Sequence, residues 1–293
     1  MAKLAEQLER KAFSAAIDVA LRRINKDREK GLLEIVDLTE KFMGDNFTKE
    51  AYEGARAMIK NPDHKWMRYV NRVLDETDPH VAKMTALNLG YQAAFYGTKT
   101  IRKMREVHDC NIPWLILMDP TSACNLHCTG CWAAEYGHKL NLTFEELDSI
   151  VTQGKELGIY FYMMTGGEPL VRKADVIKLC EKHSDVAFHC YTNGTLVDQA
   201  FCDEMKRVGN LSLSISLEGF EDTNDFRRGD GVYAKVLHAM DLLHENGLLF
   251  GNSVCYTRKN MDAVTSDEFF DLLIEHGSRF AWFTGADADK RAA

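Results

Sequence analysis

Three cysteines lie within eight consecutive positions of the chain, in the segment "PTSACNLHCTGCWAAEYG" at residues 120–137. Cys124, Cys128 and Cys131 have the spacing C-x3-C-x2-C. An odd number of thiols does not suit a disulfide framework, and a structural zinc site needs a fourth ligand. Iron–sulfur clusters are held by cysteine thiolates, usually four. The spacing therefore predicts a 4Fe–4S cluster bound by three thiolates, with one iron left open.

Two alternatives to a three-cysteine cluster remain open at this stage. His127 lies between two of the cysteines and could contribute to a zinc site, although that position makes tetrahedral ligation awkward. A fourth thiolate could also come from elsewhere in the chain. The remaining cysteines are Cys110, Cys180, Cys190, Cys202 and Cys255. Because free cysteine is among the most buried residue types, we expect these five to pack in the core.

Composition and charge limit the class of protein. The chain has 293 residues, 45% of them hydrophobic, and a net charge of −8, which argues against general nucleic-acid binding. Its N-terminus, "MAKLAEQLERK", is charged and lacks the apolar core of a signal peptide. No stretch approaches the roughly 18 apolar residues of a membrane span. We therefore expect a cytoplasmic protein, in a reducing compartment where clustered thiols tend to bind metals.

The first part of the chain, residues 1–112, is predicted to be all helical. It carries 20 Lys and Arg against 17 Asp and Glu, whereas residues 113–293 carry 16 against 27. We expect helix breaks at Gly31, at Gly44 and at residues 61–63, and a long helical pattern over about 78–107. The last of these contains the basic stretch "TKTIRKMRE". A solvated face is the expected role for it, with a membrane surface or an anionic substrate as the alternative.

The second part, residues 113–285, alternates short apolar segments with helical stretches. The six segments are "WLILMD" (114–119), "YFYMMTG" (160–166), "AFHCYTNG" (187–194), "LSLSISLEG" (211–219), "FGNSVCYT" (250–257) and "FAWFTG" (280–285). This alternation predicts βαβ units and a parallel sheet. Thr143 and Glu146 form a predicted capping box, and Gly158, Gly247 and Gly277 stand where helix C-terminal caps belong.

The fourth apolar segment indicates how the sheet curves. Polar side chains occupy every second position, at Ser212, Ser214, Ser216 and Glu218, and leucine or isoleucine fills the positions between them. A strand with one polar face suits a barrel with a ligand-filled interior better than a flat, doubly covered sheet. Six βα units are fewer than the eight of a closed barrel.

The predicted fold class is therefore α/β. We expect an open six-stranded (βα)6 partial TIM barrel over residues 113–285, preceded by an all-α N-terminal region over 1–112 and followed by a short polar tail over 286–293. The ligand should lie at the C-terminal ends of the strands, where the three cysteines also fall.

The order of motifs resembles that of the radical S-adenosylmethionine (radical SAM) superfamily. Besides the cysteine segment, the similar motifs are "TGGEP" (165–169), "YTNG" (191–194), "SISLEG" (214–219) and "NDFRRG" (224–229). The resemblance covers about residues 113–285. It implies that Cys124, Cys128 and Cys131 hold the cluster. One departure is Gly130, where an aromatic residue often precedes the third cysteine; Trp132 is the candidate to supply the ring.

The resemblance also implies a set of cofactor-binding residues. Backbone groups of Gly166, Gly167 and Glu168 would hold the methionine amino group of SAM, and Arg228 its carboxylate. The remaining implied contacts are Asn193, close to the cofactor, and Ser214, Ser216 and Glu218, which would hold the ribose hydroxyls. No catalytic side chain is assigned.

The activity implied by the resemblance is radical chemistry. An external one-electron donor of the flavodoxin or ferredoxin type would reduce the 4Fe–4S cluster, SAM would be cleaved reductively, and a 5′-deoxyadenosyl radical would abstract hydrogen from an unidentified substrate. The alternative is a non-catalytic iron–sulfur electron carrier or sensor, which leaves "TGGEP" and the serine face without a role. The N-terminal region could cover the barrel mouth, bind a partner or contact a membrane surface.

Overall fold

The structure is a computed structural model and describes residues 2–43, 47–133, 137 and 139–285. The expected break at Gly44 and the expected polar tail over 286–293 lie outside the described residues.

The N-terminal region is helical, as expected. Its helices are α1 (Ala2–Ile24), α2 (Arg28–Met43), α3 (Lys49–Ile59), α4 (Lys65–Glu76), α5 (Pro79–Thr85), a π-helix (Ala86–Gly97) and α6 (Thr98–His108). The expected turn at 61–63 separates α3 from α4. The expected break at Gly31 is wrong, because Gly31 lies inside α2. A Cβ there would stand 2.6 Å from the backbone nitrogen of Ile24, so this glycine permits the close approach of α1 and α2.

The long helical pattern expected over about 78–107 is one continuous run, from α5 through the π-helix to α6. Asp78 caps its start, and its carboxylate accepts hydrogen bonds from the backbone N–H groups of His80 (2.8 Å) and Val81 (3.3 Å). The π-helix in the middle buries two polar side chains, Asn88 and Gln92. π-Helical segments of this length are rare.

The second part forms the expected open barrel. Its strands are β1 (Ile116–Thr121), β2 (Phe161–Gly166), β3 (Ala187–Thr192), β4 (Leu211–Ser216), β5 (Phe250–Tyr256) and β6 (Ala281–Gly285). The connecting helices are α7 (Phe144–Glu156), α8 (Lys173–Lys182), α9 (Gln199–Val208), α10 (Glu221–Arg228), α11 (Val232–Glu245), α12 (Met261–Val264) and α13 (Asp267–Glu275). All neighbouring strands are parallel, in the order β1-β2-β3-β4-β5-β6.

Local signals for the helix ends are confirmed. The Thr143 hydroxyl accepts from the backbone N–H of Glu146, and the Glu146 carboxylate accepts from the backbone N–H of Thr143, which completes the capping box of α7. Gly158, Gly247 and Gly277 have φ values of 93°, 67° and 87° after α7, α11 and α13. In β4, Leu213 and Ile215 are fully buried in the core between sheet and helices.

The N-terminal region packs on the end of the barrel where the strands begin. The backbone N–H of Asp78 donates to the carbonyl oxygen of Gly247 (2.9 Å), directly before β5. The Asn88 amide donates to the carbonyl oxygens of Ser184 (3.0 Å) and Val186 (3.2 Å), directly before β3. These are connections that enter strands, so the helical region lies opposite the strand ends that carry the cysteines.

The other connections into strands meet the same region. A Cβ at Gly158, before β2, would lie 2.8 Å from the carbonyl oxygen of Gly97 in the π-helix. A Cβ at Gly209, before β4, would lie 2.8 Å from the imidazole of His80. Before β6, the carbonyl oxygen of Arg279 accepts from the Tyr69 hydroxyl in α4 at 3.0 Å. Of the described helices, none is both long enough and apolar enough to cross a membrane.

Candidate functional site

A cavity of about 430 Å³ opens at the C-terminal ends of the strands. It brings together residues from the loops after β1, β2 and β3 and from the inner faces of β4, β5 and β6. The lining residues are Leu117, Cys124, Cys128, Cys131, Trp132, Thr165, Gly166, Gly167, Glu168, Tyr191, Thr192, Asn193, Ser216, Glu218, Arg227, Arg228, Ser253, Cys255, Trp282, Phe283 and Thr284. Ser214 is the one expected cofactor contact outside this set.

The cysteine loop follows β1 and presents all three thiols to this cavity. It is folded by short-range contacts: the backbone N–H of Leu126 donates to Cys124 Sγ (3.4 Å), and the backbone N–H of Cys131 donates to the carbonyl oxygen of Cys128 (3.2 Å). Burial raises the pKa of Cys124, and it raises that of Cys128 although Arg228 opposes it there. A bound metal would have to displace these protons, because thiolates are the ligating form.

The three thiols are ligands of the type that iron–sulfur clusters take, and they share one cavity wall. Among the residues that the structure describes, no three His, Cys, Asp or Glu side chains are placed to hold a single metal ion.

The turn after β2 packs against the backbone of the cysteine loop. A Cβ at Gly166, where φ is 109°, would lie 2.5 Å from the carbonyl oxygen of Thr121. A Cβ at Gly167 would lie 2.5 Å from the carbonyl oxygen of Ser122. The backbone N–H of Gly167 also donates to the carbonyl oxygen of Thr121 at the end of β1 (2.9 Å), and that of Glu168 donates to the carbonyl oxygen of Ala123 in the loop (2.8 Å). The two glycines therefore allow the loop itself, and not only a cofactor, to approach.

Glu168 points its carboxylate into the protein and joins the ends of β2 and β3. The side chain is buried and accepts from the Thr192 hydroxyl (2.7 Å) and from the backbone N–H groups of Asn193 (2.7 Å) and Leu170 (2.9 Å). Burial raises the pKa of this carboxyl group, against the effect of these donors. The Glu168 carboxylate is consequently occupied within the protein, and the Glu168 carbonyl oxygen accepts from the backbone N–H of Val171 (3.1 Å).

Asn193 connects the end of β3 to the cysteine loop. Its amide nitrogen donates to Oδ1 of Asn125 (2.9 Å), within the loop, and its own Oδ1 accepts from the backbone N–H (2.9 Å) and hydroxyl (2.7 Å) of Thr195. The residue is buried and lines the cavity. Its side-chain polar atoms therefore serve to hold the loop in place.

The serines on the inner face of β4 divide into two groups. The hydroxyls of Ser212 and Ser214 each lie 2.8 Å from a ring nitrogen of His189 on β3, and Ser214 is fully buried. Burial lowers the pKa of His189 to about 4, so its ring is neutral at pH 7. Ser216, one step further along the strand, lines the cavity.

Four hydroxyls in the cavity have no hydrogen-bond partner within the described residues: Ser216 on β4, Thr165 on β2, Tyr191 on β3 and Ser253 on β5. They are the side chains with hydrogen-bonding capacity left for a ligand. The motif resemblance named only Ser216. Thr165 and Ser253 were missed, although alternation along β2 and β5 places both on the inner face.

Glu218, at the end of β4, is surrounded by two arginines from α10. Its Oε1 accepts from Nη1 of Arg227 (2.7 Å) and from Nη2 of Arg228 (2.7 Å), and its Oε2 accepts from Nε of Arg228. The Glu218 side chain is 1% exposed. Arg227 was missed at the sequence level because the motif names only the second arginine. The two N–H groups of Arg228 that could bind a SAM carboxylate side by side, Nε and Nη2, instead bind the carboxylate of Glu218 in this structure.

The five cysteines outside the loop have different environments. Cys180, Cys190 and Cys202 are buried in the core, as expected, whereas the expectation is wrong for Cys110, which is exposed, and for Cys255, which is half-buried. Cys255, on the inner face of β5, lines the cavity together with the three loop cysteines. Of the thiols left open as a fourth ligand, Cys255 alone shares that cavity.

Comparisons with known proteins give the class. Residues 118–274, more than half of the chain, match the family model of the radical SAM superfamily. The chain belongs to this superfamily and is an enzyme of it; these enzymes use a 4Fe–4S cluster and SAM and cleave SAM reductively.

Among curated relatives, the AdoMet-dependent heme synthase of Methanosarcina barkeri is 27% identical over 57% of this chain and 49% of its own length. The GTP 3′,8-cyclase of Alkaliphilus oremlandii is 35% identical over 41% of this chain and 40% of its own length. The chain thus spans about half the length of the curated relatives it matches.

Solved structures agree on the fold. SuiB of Streptococcus suis, bound to its precursor peptide SuiA, superposes with a TM-score of 0.55 at 18% identity over 80% of this chain and 53% of its own. The peptide-bound anSMEcpe with AdoMet superposes with a TM-score of 0.50 at 21% identity, over 58% and 50% of the two chains. The partial-barrel architecture is therefore shared with both.

Proposed function

We propose that Cys124, Cys128 and Cys131 hold a 4Fe–4S cluster by three thiolates, leaving one iron for SAM. One observation carries this proposal: the three thiols, the glycine turn after β2 and four hydroxyls without a hydrogen-bond partner among the described residues line one cavity. When bound, the cluster would supply the electron for reductive cleavage of SAM, with methionine as the leaving group, and the chemistry on the substrate would be abstraction of a hydrogen atom.

The chain's own residues would orient the cofactor. Backbone groups at Gly166 and Gly167 face the same cavity as the thiols, because the turn packs on the cysteine loop. Ser216, with Thr165 and Ser253, would hold the ribose hydroxyls. Trp132 lines the cavity one residue after Cys131 and is the candidate ring against adenine. Electrons would come from an external flavodoxin or ferredoxin type donor.

We also propose that residues 113–285 form the catalytic unit and residues 1–112 its base. Contacts of the helical region with the connections that enter the strands support this division. A base at that end leaves the mouth to the substrate.

The substrate wall of the cavity is apolar. Leu117, Trp282 and Phe283 lie at the two edges of the sheet and are 55%, 47% and 39% exposed. Both cations that line the described cavity, Arg227 and Arg228, are already paired with Glu218. We infer that the part of the substrate near the radical is uncharged and apolar, unlike the triphosphate of the nucleotide used by GTP 3′,8-cyclase.

Anaerobic reconstitution tests the proposal. Wild-type protein, reduced with dithionite in the presence of SAM, should release 5′-deoxyadenosine, and Cys128→Ala should release none. A reconstituted cluster that never cleaves SAM would instead support the non-catalytic electron-carrier alternative. Turnover in native extract then identifies the substrate, and fragmentation of the product should place the changed mass on an uncharged, apolar part of the molecule. A change located beside a phosphate or carboxylate group would contradict the inferred substrate class.

A further inference from the structure

The C-terminal end of α10 is fastened to the cysteine loop by two neighbouring contacts. The backbone N–H of Thr129 donates to the carbonyl oxygen of Arg227 at 2.8 Å. The neighbours of these two residues are also in contact: Nη1 of Arg228 lies 3.9 Å from Sγ of Cys128. The guanidinium therefore meets a loop thiol at a place where the backbone already fixes the spacing.

Glu218 determines which edge of the guanidinium faces the sulfur. Its carboxylate accepts hydrogen bonds from Nε and Nη2 of Arg228, and the remaining nitrogen, Nη1, is the donor directed at Cys128. The Arg228 side chain is only 10% exposed, so solvent does not compete strongly for it. Glu218 with Arg227 and Arg228 forms a group of net charge +1 beside the loop, since two cations share one carboxylate.

We infer that Arg228 is a positioning residue that raises the reduction potential of the cluster through Cys128, held in place by Glu218; this rests on the proposed function. Reduction adds one negative charge to the cluster. A donor N–H and a positive charge beside a ligating sulfur stabilise the reduced form more than the oxidised form, which raises the potential. Arg228 would thus make the cluster easier for an external donor to reduce, and this effect would not depend on any contact between Arg228 and SAM.

The test compares two arginines that carry the same charge and the same partner. Wild-type, Arg228→Gln and Arg227→Gln proteins are reconstituted anaerobically, and their midpoint potentials are measured by EPR-monitored titration without SAM. Arg228→Gln should have the more negative potential. Arg227→Gln loses an equal charge, but within the described residues Arg227 makes no hydrogen bond to a thiol, so the shift in potential should be smaller. Equal shifts, or no shift in Arg228→Gln, would overturn the inference.

Two further measurements keep the result interpretable. If Arg228→Gln binds too little iron to titrate, Arg228→Lys keeps the charge without the fork, and its potential should fall below wild type; a wild-type value would overturn the inference. SAM affinity is measured in parallel. An unchanged potential with weakened SAM binding would assign Arg228 to the cofactor carboxylate instead. A wild-type protein that holds a cluster but cleaves no SAM would refute the proposed function and not this inference.

Discussion

Gly167→Ala is the sharpest test of how the glycine turn and the cysteine loop depend on each other. Gly167 is not among the glycines with positive φ, unlike Gly166, so alanine can adopt its backbone conformation. The added methyl, however, would lie 2.5 Å from the carbonyl oxygen of Ser122 and 2.6 Å from the carbonyl carbon of Ala123. The effect is therefore steric, and it falls on the two residues that precede Cys124.

The magnitude follows from these distances. Ordinary non-bonded contacts lie near 3.5 Å, so the backbone at Ser122 and Ala123 must move by about 1 Å. Overpacking of this kind costs about 1–3 kcal/mol, and a 1 Å displacement of reacting groups costs about 10²-fold in rate. The hydrogen bonds of 2.9 and 2.8 Å from residues 167 and 168 to the loop resist that movement. We expect lower iron uptake and about 10²-fold slower SAM cleavage.

The effect is measured after anaerobic reconstitution by three quantities: the iron and sulfide content per chain, the EPR signal of the reduced cluster, and the rate of 5′-deoxyadenosine release. Gly54→Ala in α3 is the matched control, because a Cβ there meets nothing within 4 Å. It should keep full iron and rate and gain about 0.5–1 kcal/mol of stability. A Gly167→Ala protein with wild-type iron, spectrum and rate would show that the loop does not depend on this glycine.

Three other variants probe different parts of the molecule. Cys255→Ser should keep its iron content and the SAM-induced change in the EPR spectrum; loss of either would make Cys255 a fourth ligand. Burial raises the pKa of Glu76, but hydrogen bonds from Arg279 and Arg72 bring it down from 4.5 to about 2. Glu76→Gln should therefore unfold at a lower temperature than wild type, by a margin that is constant down to about pH 5 and shrinks below pH 4.5; a margin independent of pH would exclude the carboxylate as its source. For His189, burial lowers the pKa from 6.5 to about 4, so the wild type should lose stability as pH falls through that interval, because only the unfolded chain binds the proton. His189→Gln should show a flatter urea-midpoint profile there, and an unchanged profile would assign the loss to other groups.

The sequence predicts the elements well where the signal is local. In β4, serine alternates with leucine or isoleucine, and successive side chains of a strand point to opposite faces, so the sequence alone identifies the inner and outer faces. The capping box at Thr143 is likewise complete within four residues. The cysteine loop, the glycine turn and the polar strand end follow one another along the sequence, so the family resemblance could be recognised without knowing any contact between elements.

Contacts between elements could not be predicted in the same way. Gly31 looks like a helix break until α1 is seen to pack against it. Ser214 looks like a ribose contact, yet the register of β3 with β4 brings His189 within 2.8 Å of its hydroxyl. Arg228 looks like a carboxylate clamp, but the carboxylate that it holds belongs to Glu218. In each case the partner within the protein comes from another element, and the spacing of residues along the chain does not reveal it.

The helical base has a consequence for how this enzyme can be altered. Each of the five connections that enter β2 to β6 is in contact with the N-terminal region, so lengthening any of them would disturb packing that spans the whole lower end of the barrel. Segments that leave the strands can be rebuilt without disturbing those contacts. Efforts to retarget the chemistry should therefore avoid the connections that enter strands, and after β1 to β4 they should leave the cavity-lining turns intact.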